Sequence, residues 1–299
     1  MNTLYDGLLG KFEYDDTQYC VQESDADGEY LHYIGSETDG SRITIPHGIR
    51  NCHMMFSDTN IKSQPTIPSG VYNMEAMFLN CLDMTQTQSI PYGVENCNSA
   101  YSYCPSITHG PRMPDSVTSA DFMYDGDTHL QDVPNLSQNL KSCNYMFANC
   151  ESASELPDMP DSVTHANGFC INCRSLALPP ELSNSLQYIN EGFAGCTNLL
   201  ESPALPDSVI ESNNISDGCY WLNTDLDDDF SDISDEAETI SAPQLQANTE
   251  DFTSKYEAIY NSYHDKQANS PNHQMEALHQ SGIASMSHSA ENHSMDYGE

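Results

Sequence analysis

The sequence predicts a repeat solenoid, mainly β with short turns and helical bends. A small β cap is expected at its N-terminal end, and a largely disordered tail with one short helix beyond it. Three observations predict this. Phe56, Phe78, Tyr101, Tyr124, Phe147, Cys170, Phe193 and Ser216 follow one another at a first step of 22 residues and later steps of 23. Seven residues before each stands a branched aliphatic: Ile49, Val71, Val94, Val117, Leu140, Val163, Leu186 and Val209. Three residues before those stand Pro46, Pro68, Pro91, Pro114, Ser137, Pro160, Ser183 and Pro206. A fixed period of roughly 20–50 residues marks a stacked array in which each repeat is the floor of the next.

Residues 1–42 read as the cap. Alternation in 11–15 and 29–34 suggests two or three short strands, separated by a turn at Asp25–Gly28. Residues 43–222 form about eight repeats. Proline fixes φ and donates no backbone hydrogen bond, so each Pro column position is expected to end a short strand. A turn follows, then an extended segment at the aliphatic position, then a bend or one helical turn around the ring position. Three residues after the ring position stand Thr59, Cys81, Cys104, Asp127, Cys150, Cys173, Cys196 and Cys219, and Met84, Ile107, Leu130, Ala153, Leu176, Leu199 and Leu222 follow three further on. Two buried ladders are therefore expected. One comprises Phe56, Phe78, Tyr101, Tyr124, Phe147 and Phe193; the other comprises Cys81, Cys104, Cys150, Cys173, Cys196 and Cys219. A second period is superposed: Pro-Asp-Ser-Val recurs at 114–117, 160–163 and 206–209, 46 residues apart.

Residues 223–299 read as an acidic linker and tail. The linker at 223–241 is rich in Asp and Ser and is expected to be disordered. Within 250–266, Phe252, Tyr256, Ile259, Tyr260 and Tyr263 share one helical face. That helix would either cap the last repeat or bind a partner on a tether. Residues 267–299 are polar, and 273–280 is compatible with a further short helix.

The motif Leu205-Pro206-Asp207-Ser208-Val209, with Phe193-Ala194-Gly195-Cys196-Thr197-Asn198-Leu199, resembles the BspA-like class of leucine-rich repeats. These occur in bacterial surface proteins and in some protist proteins. The resemblance spans roughly 43–222. It implies a right-handed leucine-rich repeat superhelix and an adhesin or interaction protein, and it transfers no binding residue. The chain departs from many surface members in its acidity, and it is expected to lack a signal peptide.

With 45 acidic and 9 basic side chains, the net charge is −36. Such a field repels nucleic acid and anionic membrane and attracts basic partners. No apolar run approaches the ~18 residues of a membrane span, and 1–10 has no basic n-region. A cytoplasmic location is expected, or release by a route without a cleaved signal.

Candidate chemistry is sparse. Cys170-Ile171-Asn172-Cys173 has CxxC spacing, but both cysteines fall in repeat columns, which favours a packing role. Cys52, Cys97 and Cys143 occupy another column, where Met74 and Ala120 stand elsewhere. Asp225, Asp227, Asp229, Ser231 and Glu236 match the outer ligands of a calcium loop, but Phe230 replaces its required glycine. His264, His273, His279, His288 and His293 have no common helical face. No nucleophile elbow, phosphate loop or HExxH is present. No catalytic residue, cofactor or metal is expected. The function expected is a monomeric, non-catalytic scaffold for a basic protein or peptide, without direct nucleic-acid binding. The alternatives are an acidic nucleic-acid mimic, with Asp115, Asp161 and Asp207 as a sparse row, and a surface adhesin.

Overall fold

The computed structural model describes residues 1–6, 9–24 and 28–219. Every described residue lies in the unit Met1–Asp228. The expected linker, the helix at 250–266, the helix at 273–280, the calcium-like loop and the tail histidines all lie outside the described residues.

The first 33 residues carry four strands rather than two or three. β1 (Asn2–Asp6) pairs antiparallel with β2 (Gly10–Tyr14), with Asn2 opposite Tyr14. β3 (Tyr19–Ser24) pairs antiparallel with β4 (Gly28–Tyr33), with Tyr19 opposite Tyr33. This register brings the Tyr19 and Tyr33 rings to 5.5 Å, and both are buried. Each then meets Phe56, the first ring of the repeats, at 6.4 and 5.2 Å. The hairpins thus cover apolar surface that the first repeat would otherwise leave to water. Burying one such ring stabilises by about 1.5–3 kcal/mol. A 3₁₀ turn, Gly40–Arg42, follows, capped by the Asp39 side chain, which accepts from the Ser41 N–H at 3.0 Å.

From residue 49 the chain runs in coils that lie one on the next. Coils 1 to 8 start at 49, 71, 94, 117, 140, 163, 186 and 209, and coil 8 is described to 219. Parallel bridges join Asn51, Asn73, Asn96, Ser119, Ser142, His165, Tyr188 and Glu211 in turn. Around each bridge, backbone bonds run from coil to coil. In coil 5 the N–H groups of Cys143, Tyr145, Phe147 and Asn149 donate to carbonyls of coil 6 at 3.0, 2.8, 2.9 and 2.7 Å. Where short strands are expected, the structure has single bridge residues, here and before the Pro column (Ser63 to Gln86, His109 to Asp132).

The reason lies in the next few residues. Each coil holds two left-handed residues four apart. One column runs Met54, Ala76, Ser99, Phe122, Tyr145, Gly168, Glu191 and Asn214; the other runs Asp58, Asn80, Tyr103, Gly126, Asn149, Asn172, Gly195 and Gly218. A left-handed residue ends both strand and right-handed helix. The segment around the ring therefore becomes a run of tight turns, and the described residues contain no α-helix.

The ring ladder stacks through Phe56, Phe78, Tyr101, Tyr124 and Phe147, with centroids 5.5, 5.4, 6.0 and 5.6 Å apart. Phe193 is also fully buried. In coil 6, where Cys170 holds the ring position, the neighbouring Phe169 turns inward and meets Phe147 edge-on at 5.3 Å. The structure thus fills a gap that the repeat register leaves open.

The 46-residue period also has a physical account. In coils 4 to 7 one hydroxyl near the end of the coil reaches the carbonyl of that coil's own aliphatic position. Where Ser replaces Pro, Ser137 and Ser183 donate to the Val117 and Val163 carbonyls at 2.6 and 2.7 Å. Where Pro is kept, Ser162 and Ser208, two residues later in the turn, donate to the Leu140 and Leu186 carbonyls at 2.6 and 2.7 Å. The two turn types alternate because either position satisfies the same acceptor.

Candidate functional site

The cysteine column is a ladder of thiol hydrogen bonds. Cys81, Cys104, Cys150, Cys173, Cys196 and Cys219 donate to the carbonyls of Phe56, Phe78, Tyr124, Phe147, Cys170 and Phe193, at 3.0–3.2 Å. Each acceptor is the ring-position carbonyl of the coil before. Burial pushes the Cys104, Cys150 and Cys170 thiols well above their ordinary range. They stay protonated at neutral pH and are poor nucleophiles. The CxxC pair is split between acceptors: Cys170 donates to the Gly192 carbonyl at 3.3 Å and Cys173 to Phe147. All eleven cysteines are free. Among the described residues no group of three or more His, Cys, Asp or Glu is placed to hold a metal ion. No helix among them is long and apolar enough to cross a membrane.

A second ladder was not anticipated from the sequence. Asn98, Asp121, Asn144, Asn167 and Asn190 each accept, through Oδ1, the backbone N–H of the equivalent residue one coil on, at 2.9, 2.7, 2.8, 2.9 and 2.7 Å. The last donor is Asn213. In coils 1 to 3 the same N–H is satisfied differently: Asn51, Asn73 and Asn96 accept it from two residues along their own coil, at 3.0, 2.9 and 2.9 Å. From coil 4 the bridge position is released from this duty. It then carries Ser119, Ser142, His165, Tyr188 and Glu211, with the His165 and Tyr188 rings stacked at 4.8 Å. The chain thus frees one outward row for other side chains once the preceding coil caps the turn.

The turn aspartates are already engaged. Asp115 accepts the Gln138 N–H at 3.0 Å, and Asp161 accepts the Asn184 N–H and side-chain amide at 3.1 and 3.0 Å. Two members of the row that would imitate phosphates therefore act as caps for the following coil.

Coil 4 buries three carboxyls within seven residues: Asp121, Asp125 and Asp127. Asp121 is held by Ser142 Oγ at 2.6 Å and by Asn144; burial still pushes its pKa up. Asp125 accepts from Asn149 Nδ2 at 2.9 Å. Asp127 stands in the cysteine column and is fully buried, which raises its pKa well above the carboxylate range. Its Oδ1 takes the Cys104 N–H at 2.6 Å, and Oδ2 has no partner.

Large side chains also stand at left-handed positions of three neighbouring coils: Tyr103, Phe122 and Tyr145, with φ 56, 57 and 53°. Phe122 and Tyr145 stack face to face at 4.9 Å. Tyr103 and Tyr145 remain half exposed. No protein-family model matches the chain, and no curated protein or solved structure shows a significant match to it.

Proposed function

We propose that the chain is a non-catalytic scaffold of the BspA-like leucine-rich repeat type, a right-handed solenoid that binds a basic protein or peptide as a monomer. The 22- to 23-residue stacking of coils 1 to 8 supports the repeat class. One observation carries the binding reading. Of the net charge of −36, residues 1–219 carry −22 (29 acidic and 7 basic side chains), on a backbone whose turn N–H groups are satisfied from coil to coil in coils 4 to 8, so that exposed side chains there stand in fixed rows. Fixed rows of like charge steer and orient an oppositely charged partner. The buried, hydrogen-bonded thiols suit a packing role and a reducing compartment such as the cytoplasm.

The test is a titration of the full chain with a short arginine–glycine peptide, followed by fluorescence anisotropy. Binding is expected at low salt and is expected to weaken steeply toward about 1 M salt, where the screening length falls to about 3 Å. Absence of binding at low salt would sink the reading.

A further inference from the structure

Coil 8 ends on an unpaired backbone edge. In coil 7 the N–H groups of Ile189, Glu191, Phe193 and Gly195 donate to the carbonyls of Glu211, Asn213, Ile215 and Asp217 in coil 8, at 2.7–3.0 Å. The equivalent donors of coil 8 are Ser212, Asn214, Ser216 and Gly218, and none of these N–H groups has an acceptor among the described residues. The same stretch offers one acceptor, the Ile210 carbonyl. Its equivalent in coil 7, Gln187, takes the Ile210 and Glu211 N–H groups at 2.8 and 3.1 Å. At the opposite end the hairpins supply such a partner, since the Tyr33 N–H donates to the Met55 carbonyl at 2.8 Å.

Apolar and acidic side chains gather at the open end. Val209 and Ile215 are only half buried, although their columns are buried in coils 1 to 7. Leu205 is exposed, whereas Ile90, Met113, Leu136 and Met159 of its column are buried. Leu200 and Ile210 stand exposed where coil 6 and coil 7 hold Ala177 and Gln187. From 175 to 219 there are six carboxylate side chains and no lysine or arginine.

These features select an occupant. Donors two residues apart call for the alternate carbonyls of another chain, as when a strand adds to a sheet edge. A second copy is a poor partner: edge to edge, donors would meet mostly donors, and carboxylates would meet carboxylates. Residues 220–299 carry 16 acidic and 2 basic side chains and lack the charge that this end attracts. An anion is repelled by the same field. The path is also specified, because coil 8 turns through left-handed residues at Asn214 and Gly218, four apart. A segment laid along that path needs φ > 0 at two positions four apart, which glycine supplies without steric cost.

We infer that the open edge of coil 8 takes a glycine-rich basic segment of a partner protein as a ninth layer, its carbonyls accepting from Ser212, Asn214, Ser216 and Gly218. The inference rests on the proposed function and locates its contact. Glu211 and Asp217, on the same coil, supply charge for arginines that stand between the glycines.

The experiment follows hydrogen exchange of the full chain by mass spectrometry, alone and with the arginine–glycine peptide at about ten times its Kd from anisotropy. Without peptide, amides in 212–218 are expected to exchange faster than those of coil 5, which lies between two paired coils. With peptide, exchange across 209–219 is expected to slow about tenfold, and coils 1 to 4 are expected to stay unchanged. A peptide alternating arginine with valine carries the same charge. It is expected to bind roughly tenfold more weakly, because valine resists the left-handed conformation. If the arginine–glycine peptide binds but protects other coils, or if both peptides bind alike, the edge is not the contact, while the basic-partner reading stands. Slow exchange at 212–218 without peptide would also overturn the inference. It would mean that another part of the chain covers the edge if it is independent of protein concentration, and that a second copy does if it is not. If neither peptide binds, both the edge and the basic-partner reading fall.

Discussion

Replacing Asp127 with the residue its column otherwise holds should stabilise the protein. In coils 2, 5, 6 and 7 the column cysteine N–H donates to the ring-position carbonyl of its own coil, at 3.1–3.2 Å. In coil 3 the Cys104 N–H is diverted instead to Asp127 Oδ1 at 2.6 Å. That bond leaves Oδ2 buried without a partner. Asp127→Cys removes the orphan oxygen and lets the Cys104 N–H return to the Tyr101 carbonyl. The new thiol can then donate to that carbonyl, as Cys150 does to Tyr124 at 3.2 Å. A buried unsatisfied polar atom costs about 1–3 kcal/mol, which sets the expected gain. For a unit of this size each kcal/mol moves Tm by about 2–4 °C.

The gain should depend on pH. Burial raises the folded-state pKa of Asp127 above its unfolded value. Such an acid binds its proton more tightly when folded, so it destabilises increasingly as pH rises from about 4. The destabilisation is complete once pH passes the raised folded pKa. Asp127→Cys should therefore gain least near pH 4 and more at pH 7. Asp121 has the same sign of shift but is common to both proteins and cancels in the difference. The assay is thermal unfolding of the full chain by circular dichroism across that range. A variant no more stable at neutral pH than the unmodified chain, or a gain that shrinks as pH rises, would show that the buried carboxyl does not cost the fold stability.

Phe147→Ala removes a fully buried ring that lies between Tyr124 and Phe169 at 5.6 and 5.3 Å; it should cost about 3–5 kcal/mol in urea unfolding, and a loss under about 1 kcal/mol would contradict the packed ladder. In the native protein a thiol reagent should react promptly with Cys20, the one cysteine that is only half buried, and with the others only at the rate of opening. Fast modification of Cys81 or Cys104, located by mass spectrometry, would show that the thiol ladder is not closed.

The columns were legible in the sequence because burial repeats residue type. Phe56 to Phe147, Cys81 to Cys219 and the aliphatic positions from Ile49 to Leu186 are buried, and Val209 is partly so. What periodicity does not carry is the identity of hydrogen-bond partners. The Asn98 to Asn213 row stands three residues before the ring position and could have been found by the same alignment. It was obscured because His53 and Glu75 begin it, and because coils 1 to 3 meet the same need from Asn51, Asn73 and Asn96. Phe169 escaped for another reason: a fixed register assigns one position to the ring, whereas a cavity accepts a ring from the neighbouring position when Cys170 leaves space. The isolated bridges in place of strands follow from left-handed residues such as Met54 and Asp58, whose conformation no propensity scale assigns to them.

The departures from the repeat are concentrated in coil 4. It places Asp127 in the thiol column, buries Asp121 and Asp125, leaves the Tyr124 hydroxyl without a partner, and holds Phe122 at a left-handed position. Each departure is unfavourable alone, and a left-handed bulky residue costs on the order of 1–3 kcal/mol. Neighbouring coils carry Cys104 and Cys150 in the column of Asp127, Asn98 and Asn144 in that of Asp121, and Ser102 and Ala148 in that of Asp125, so the scaffold does not impose these carboxyls. A repeat array can hold them because its stability is summed over coils, and one weak coil is carried by those on either side. Local rules broken without a structural gain point to sites selected for something else. Asp127→Cys should raise stability while leaving arginine-peptide affinity unchanged, because Asp127 is fully buried and its carboxyl does not reach the surface. Should the same substitution weaken peptide binding, the buried carboxyl would shape the recognition surface, and the departures of coil 4 would not be separable from the binding face.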